Sequence, residues 1–420
     1  MLYDRWRSIV QRFGSATALV DASTRQTWTF NQLSREAEKI RIGNRIVFPQ
    51  TNCPEFVLQV IRAWRDERVL CPLEPEQQTP ALSFDLPKSI AHLKTTSATG
   101  GQPRLVAFAG TQLAADASNL VQTMGLRPDW PNLAVISLAH SYGFSNLVLP
   151  LLLHGVPLVL VGTALPEALK RAATDYPGVT LASVPALWKM WGQAHAIPSN
   201  VRLAISAGAP LPLPLEEEVW AHFGLKIHNF YGSSECGGIA YDATQQPRTN
   251  PACVGSAVAG VNVSLDARGC VTVRGAAVAH GYLPPDPERL GEGVFSTSDL
   301  GEFRNGLLYL KGRVGDLINV AGRKVAPEVI EQVLATHPAV RDVLAFGVPL
   351  EDGHRGERIV GCIAAAPGTT VEDLRRFAGS RLPAWQIPRD WWFVPSIATN
   401  QRGKLSRAEW RARYLKRTAP

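Results

Sequence analysis

Between Leu133 and Phe230 the sequence alternates short β-branched runs with amphipathic stretches. The runs Leu133–Leu138, Val156–Val161, Val179–Val184, Arg202–Ile205 and Lys226–Phe230 read as strands. Helical patterns fall between them, as at Pro166–Ala173, with proline at the first position, and at Leu215–Phe223. Strands that are apolar on both faces and separated by helices build parallel sheets covered on both sides. The expected class is therefore α/β, with doubly wound sheets. From Val254 to Leu310 the texture changes to short β segments with glycine turns, predicting a small β subdomain. Beyond Val314 a helix over Val325–Ala335, strands at Val343–Val348 and Ile359–Ala364 and a helix over Val371–Arg381 predict a separate α+β unit. The boundary falls near Arg313–Asp316, giving units 1–313 and 314–420.

A chain of 420 residues exceeds one compact core. Its net charge of +7 suits anionic partners such as nucleotides, coenzyme A or an acidic carrier protein, or simply solubility. The six cysteines are scattered without metal-ligand spacing, which fits a reducing compartment rather than a disulfide framework. The charged N-terminus MLYDRWRSIVQRF has no apolar signal core, so a cytoplasmic location is expected. Ser141 to Pro166 carries no charge, but Pro150, Gly155 and Pro157 break it. It reads as a short buried helix, a turn and a strand, not as a membrane span.

Several segments carry chemistry. In KTTSATGGQPR (94–104), hydroxyls at Thr96, Ser97 and Thr99 join Gly100, Gly101 and cationic Arg104. Small residues let backbone N–H groups curl round an anion, although such runs are also ordinary surface loops. It is not a Walker sequence. In HNFYGSSECGGIAYD (228–242), a strand opens into a Gly/Ser turn, where α/β sheets place ligands. Tyr231 offers a flat face there, and Glu235 offers hard oxygens for Mg²⁺. STSDLG (296–301) places Asp299 either as a turn cap or as an acceptor for two ribose hydroxyls. KGRVGDLINVAGRKVAPEVIE (311–331) reads as a linker rich in backbone freedom, with Pro327 starting a helix. NQRGKLSR (400–407) is a polar loop holding Lys404.

In this order and spacing the segments resemble the adenylate-forming superfamily of acyl- and aryl-CoA synthetases, peptide-synthetase adenylation domains and luciferases. The resemblance runs from about Leu2 to Arg407. It is carried most strongly by YGSSE (231–235), TSDLG (297–301), GRVGDLINVAGRKVAPEVIE (312–331) and NQRGK (400–404).

The resemblance implies ATP-dependent activation of a fatty or aryl carboxylic acid as its acyl-adenylate, then transfer to a thiol. Thr96, Ser97, Thr99, Gly100, Gly101 and Arg104 would hold the β- and γ-phosphates. Gly208, Ala209 and Pro210 would line the adenine and Tyr231 would stack on it. Ser234 would touch the α-phosphate, Glu235 would hold Mg²⁺, and Asp299 and Arg313 would bind the ribose. Lys404 would bridge the acid's carboxylate and the α-phosphate, where a placed cation offsets developing charge. The mobile C-terminal lid would rotate between half-reactions, withdrawing Lys404 and bringing the loop at Gly322 to the pantetheine.

His140, in HSYGFS (140–145), is expected to contact the substrate carboxylate or to be a packed core histidine. The absence of a nearby Asp disfavours an amino-acid substrate. Gly237 and Gly238 are expected to leave room for an acyl body. The acceptor implied is coenzyme A, with the phosphopantetheine of an acyl carrier protein as the alternative. The basic C-terminus fits either, or a solvated face.

The chain departs from the family pattern at Ala98, Gly100 and Arg104 in the phosphate loop, and at the hinge, where Gly315 stands in place of a charged residue. The segment between Val69–Leu73 and the loop is also short. These departures keep open a catalytically impaired nucleotide-binding homologue.

Overall fold

The computed structural model describes residues 1–80, 86–96, 104–350, 356–397 and 406–418. Six strands lie side by side in the order Ile227–Ser233, Val201–Ser206, Val179–Ser183, Asn132–Ala134, Leu158–Leu160 and Thr17–Asp21, all paired in parallel. Every residue of Val179–Ser183 and Leu158–Leu160 is buried. Helices on both faces explain why these strands are continuous apolar runs. The helix Pro166–Ala173 begins at its proline, and Leu213–Phe223 ends at Gly224, whose φ of 61° is the left-handed cap glycine favours.

The β-rich stretch is not a separate sheet. Gly237–Tyr241 pairs antiparallel with Ile227–Ser233, and Cys253–Ala257 then carries the hydrogen bonding on to Leu307–Arg313 and Val294–Arg304. Strand lengths differ from the sequence reading at one instructive place. The strand expected over Leu133–Leu138 stops at Ala134. Beyond it, Asn52 takes over the backbone: its Nδ2 donates to Ile136 O and its Oδ1 accepts from Leu138 N–H, both at 2.8 Å. A side chain from 86 residues away replaces the ladder partner.

A second sheet joins Gly281–Leu283, Leu105–Ala109, Ile90–Thr95, Val69–Leu70 and Ile46–Val47. Helix Gly110–Met124 lies against both sheets. Its Leu113, Ala117 and Leu120 share a core with Phe108 from one and with Phe230 and Ile239 from the other. The uncharged stretch folds as helix Ser141–Gly143, a π turn Phe144–Val148 and helix Leu149–His154, closed by Gly155. No helix among the described residues is long and apolar enough to cross a membrane.

The C-terminal unit is a three-stranded sheet of Val340–Pro349, Glu357–Ala365 and Asp390–Phe393. Alternation along Val340–Pro349 serves two cores. Leu344, Phe346 and Val348 meet Trp410 and Tyr414 of helix Arg407–Thr418, while Ala345 meets Ile330 and Leu334 of helix Pro327–Ala335 and Leu374 of helix Val371–Gly379.

Candidate active site

The strand Ile227–Ser233 ends in a turn over Ser234–Cys236 and returns as Gly237–Tyr241. Tyr231 and Glu235 therefore stand close together at the carboxyl end of a parallel strand, where open α/β sheets bind ligands. Ser234 is half-buried in the same turn. Gly208, Ala209 and Pro210 leave the end of the neighbouring strand Val201–Ser206. Gly208 has φ of 84°, which an L residue rarely adopts.

Asp299 does not cap a turn. It lies within the strand Val294–Arg304, opposite Arg313 of Leu307–Arg313. Arg313 Nε donates to Asp299 Oδ1 at 2.7 Å and the Tyr231 phenol donates to Oδ2 at 2.5 Å. Burial, reinforced by the Asp299 charge, raises the Tyr231 pKa well above the ordinary tyrosine value, so the phenol stays a donor. The Asp299 charge likewise raises the pKa of Arg313. Each carboxylate oxygen keeps a lone pair for a further donor.

Glu235 Oε1 accepts from the Tyr282 phenol at 2.9 Å. Tyr282 arrives on Gly281–Leu283, which pairs with Leu105–Ala109. Arg104 spans the same corner, donating from Nη1 to Asp286 Oδ2 at 2.7 Å with its guanidinium 5.3 Å from the Tyr282 ring centre. Thr96 closes the base of the loop: its N–H and Oγ1 both donate to Arg104 O, at 2.9 and 3.1 Å. Ser97, Thr99, Gly100 and Gly101 lie outside the described residues, as does Lys404 with the NQRGK motif.

The Tyr282 contact is invisible in the motifs, because it depends on pairing two strands about 170 positions apart. Among the described residues one Glu235 oxygen has no side-chain donor, which fits a Mg²⁺ ion shared with phosphates. No group of three or more His, Cys, Asp or Glu side chains suited to a metal occurs among the described residues.

His140 precedes helix Ser141–Gly143 and caps it: Nδ1 accepts from Tyr142 N–H at 3.3 Å. It is half-buried, so the capping role joins whatever it does toward a ligand. Gly322 sits with Ala321 in the turn between Ile318–Val320 and Arg323–Val325. Both have positive φ, 86° and 50°, and Gly322 N–H donates to Asn319 Oδ1 at 3.0 Å. Gly315, in the turn Val314–Asp316, has open space about its Cβ position and no left-handed φ, so glycine is not required there. Gly312 is different. Its φ is 120°, and a Cβ would lie 2.7 Å from Ala326 Cβ and from Glu328 Oε2.

The expectation that Gly237 and Gly238 leave room for an acyl body is overturned. A Cβ on Gly237 would collide with the Asp116 carboxylate, and one on Gly238 would lie 2.7 Å from Leu120 Cδ2 and 3.1 Å from Phe230 Cε2. The glycines admit helix Gly110–Met124, not a ligand.

Behind that wall lies a buried polar group centred on Asp116, a residue outside every motif, which ties together Lys94 and Ser145 from two of them. Ser145 Oγ donates to Asp116 Oδ2 at 2.6 Å, Gly238 N–H donates to Asp116 Oδ1 at 3.2 Å, and Lys94 Nζ donates to Ser145 Oγ at 3.5 Å. Burial lowers the Lys94 pKa, while the charges of Asp116 and, less strongly, Glu235 oppose that shift. The sequence signal was available: His92 and Lys94 share one face of the strand Ile90–Thr95, and a lysine in so apolar a strand needs a reason.

Residues 49–283 match the family model described as AMP-binding enzyme, and residues 329–404 match the AMP-binding enzyme C-terminal domain. The chain is 30% identical over 335 residues to a probable 2-succinylbenzoate–CoA ligase of Mycobacterium tuberculosis (strain CDC 1551 / Oshkosh), covering 76% of this chain and 83% of that one. It is 28% identical over 344 residues to an oxalate–CoA ligase of Arabidopsis thaliana, covering 74% and 65%. The fold matches ATP-bound MatB from Rhodopseudomonas palustris with a TM-score of 0.85 at 19% identity, covering 99% of both chains.

Proposed function

This chain belongs to the AMP-binding enzyme family, and from that premise we propose that it activates a compact carboxylic acid with ATP and delivers the acyl group to coenzyme A. In the first step an acid oxygen bonds to the α-phosphorus and pyrophosphate leaves. In the second the thiol sulfur bonds to the acyl carbon and AMP leaves. The reading is carried by one observation: Tyr231, Asp299 and Arg313 form a bonded cluster beside the turn that holds Glu235.

In this reading Tyr231 lies against the adenine, beside Gly208, Ala209 and Pro210. Asp299 and Arg313 take the ribose hydroxyls. Thr96, Ser97, Thr99, Gly100, Gly101 and Arg104 hold the outer phosphates, and Ser234 donates to the α-phosphate. Glu235 holds Mg²⁺, kept in orientation by Tyr282; the ion, when bound, neutralises phosphate charge. His140 faces the acid. Lys404 bridges acid and α-phosphate, and Gly322 lines the pantetheine path.

We set the boundary between the two units at 313/314, where the strand Leu307–Arg313 gives way to the turn Val314–Asp316. The filled wall at Gly237 and Gly238 argues for a compact acid rather than a long acyl chain. Arg413, Lys416 and Arg417 on the exposed face of helix Arg407–Thr418 suit the phosphates of coenzyme A, and they also keep a carrier protein as a testable acceptor. The free thiols of all six cysteines support a cytoplasmic location.

The test is ATP–pyrophosphate exchange over a panel of short, aryl, fatty and amino acids, with wild type and Lys404→Ala. Exchange with one acid class, lost in Lys404→Ala while ATP binding survives, is expected. Full exchange in Lys404→Ala overturns the role of that lysine. No exchange with any acid, in protein that binds ATP, overturns the ligase reading.

A further inference from the structure

Resting on that reading, we propose that Lys94 selects the acid: its ammonium pairs with a second carboxylate, so that the substrate is a compact dicarboxylic acid.

Lys94 is half of an unfinished ion pair. Lys94 is 5% exposed. Its Nζ lies 4.5 Å from the centre of the Phe108 ring, and among the described residues its one hydrogen bond, to Ser145 Oγ, is long at 3.5 Å. An ammonium has three donors. Among the described residues no carboxylate lies within 4.0 Å of it. Asp116 supplies the nearby opposite charge, but its oxygens are engaged by the Ser145 hydroxyl and by Gly238 N–H. Lys94 is thus balanced through Ser145 and retains donors.

The same chain seals a buried lysine when the role is structural. Lys226, 6% exposed, is bonded to Glu216 and, at 2.7 Å, to Asp242. Two carboxylates close on that ammonium, and none closes on Lys94. A buried cation without a direct anion is costly unless something else supplies the anion.

Lys94 lies two residues before Thr96, where the strand enters the phosphate loop. Its polar chain ends on Gly238, three residues after Glu235. Ser145, the link between them, sits in a π turn, a feature that recurs at functional sites. Lys94 therefore stands between the residues assigned to the nucleotide and the filled wall on the acid side. A long apolar chain meets Asp116, Leu120 and Phe230 there. A short acid bearing a second carboxylate brings the anion that Lys94 lacks.

The experiment is pyrophosphate exchange with matched acids, malonate against propionate and succinate against butyrate, in wild type and Lys94→Met. Wild type is expected to favour the diacid of each pair. In Lys94→Met the ratio of diacid to monoacid kcat/KM is expected to fall about 100-fold, the loss typical of removing one member of a buried charge pair. If Lys94→Met does not fold, the double variant Lys94→Met/Asp116→Asn, which removes both charges, gives the same comparison. Preference of wild type for the monoacids, or an unchanged ratio in either variant, overturns the assignment while leaving adenylation intact. Exchange with no acid at all overturns the ligase reading and this inference with it.

Discussion

Tyr231 and Asp299, 68 residues apart in sequence, are joined by a 2.5 Å hydrogen bond from phenol to carboxylate. With Arg313 on the other oxygen, the carboxylate is held in one orientation before any ligand arrives. Preorganised acceptors lose little freedom on binding. Asp299→Asn should weaken ATP binding by about 2 kcal/mol, roughly thirtyfold, by removing a charged acceptor. Tyr231→Phe keeps the ring and removes only the donor, so it should cost about 1 kcal/mol. Calorimetric titration of ATP into both variants separates them. Equal affinities for Asp299→Asn and wild type would remove Asp299 from the nucleotide site.

Glu235, in the turn that follows Tyr231, makes a similar pair with Tyr282. Glu235→Gln, which removes the ligand's charge, should raise the Mg²⁺ concentration needed for half-maximal exchange by about 100-fold or more, and Tyr282→Phe, which removes only the partner that orients it, by about 10-fold. Metal titrations at fixed ATP measure both. If Tyr282→Phe matches Glu235→Gln, the phenol does more than orient the carboxylate.

What could be read from the sequence follows from how local each determinant is. Helix Pro166–Ala173 carries its own start signal, and the reading and the structure agree on its ends. The strand Asn132–Ala134 is shorter than the apolar run predicts, since Val135–Leu138 is just as apolar and it is Asn52, distant in the chain, that takes the backbone groups of Ile136 and Leu138. Asp299, Arg313, Tyr231 and Glu235 stood out as motifs. Tyr282 and Asp116 did not, nor did the link that Asp116 makes between Lys94 and Ser145, since strand pairing and helix docking bring these residues together. Gly237 and Gly238 show the converse error. A glycine pair beside a motif reads as space for a ligand, but here the space belongs to a helix.

Stability of the large unit should depend on one sealed ionic cluster. Arg248 donates to Glu216 Oε2 at 2.8 Å, to Leu211 O at 2.7 Å and to Cys253 O at 2.8 Å, and its own N–H reaches Glu216 Oε1 at 3.0 Å. Lys226 joins Glu216 to Asp242. Glu216 and Asp242 are both buried, so without Arg248 the single Lys226 ammonium faces two carboxylates and one charge is left unbalanced. Arg248→Met should cost about 3–5 kcal/mol in chemical denaturation, without altering ATP affinity in the folded fraction. A loss below about 1 kcal/mol, the scale of an exposed pair, would mean that water reaches the cluster.

The C-terminal unit should carry its own pH dependence through Arg407. Its guanidinium is shared by Asp316 at 3.1 Å, Glu328 at 2.8 Å and Glu331 at 2.7 Å, linking the start of helix Arg407–Thr418 to helix Pro327–Ala335 and to the turn Val314–Asp316. One cation does not satisfy three carboxylates. Burial raises the Glu331 pKa to about 7, with the neighbouring Glu328 charge adding to the shift and Arg407 opposing it. Because that lies above the unfolded value of 4.5, the folded chain binds more protons between the two. Stability from this group is therefore fully present below about pH 4.5 and is lost as pH rises to about 7. Glu331→Gln holds the site neutral at every pH. Melting temperatures at pH 5 and pH 8 should show the variant gaining on wild type as pH rises. Parallel profiles would mean that Arg407 keeps Glu331 ionised throughout.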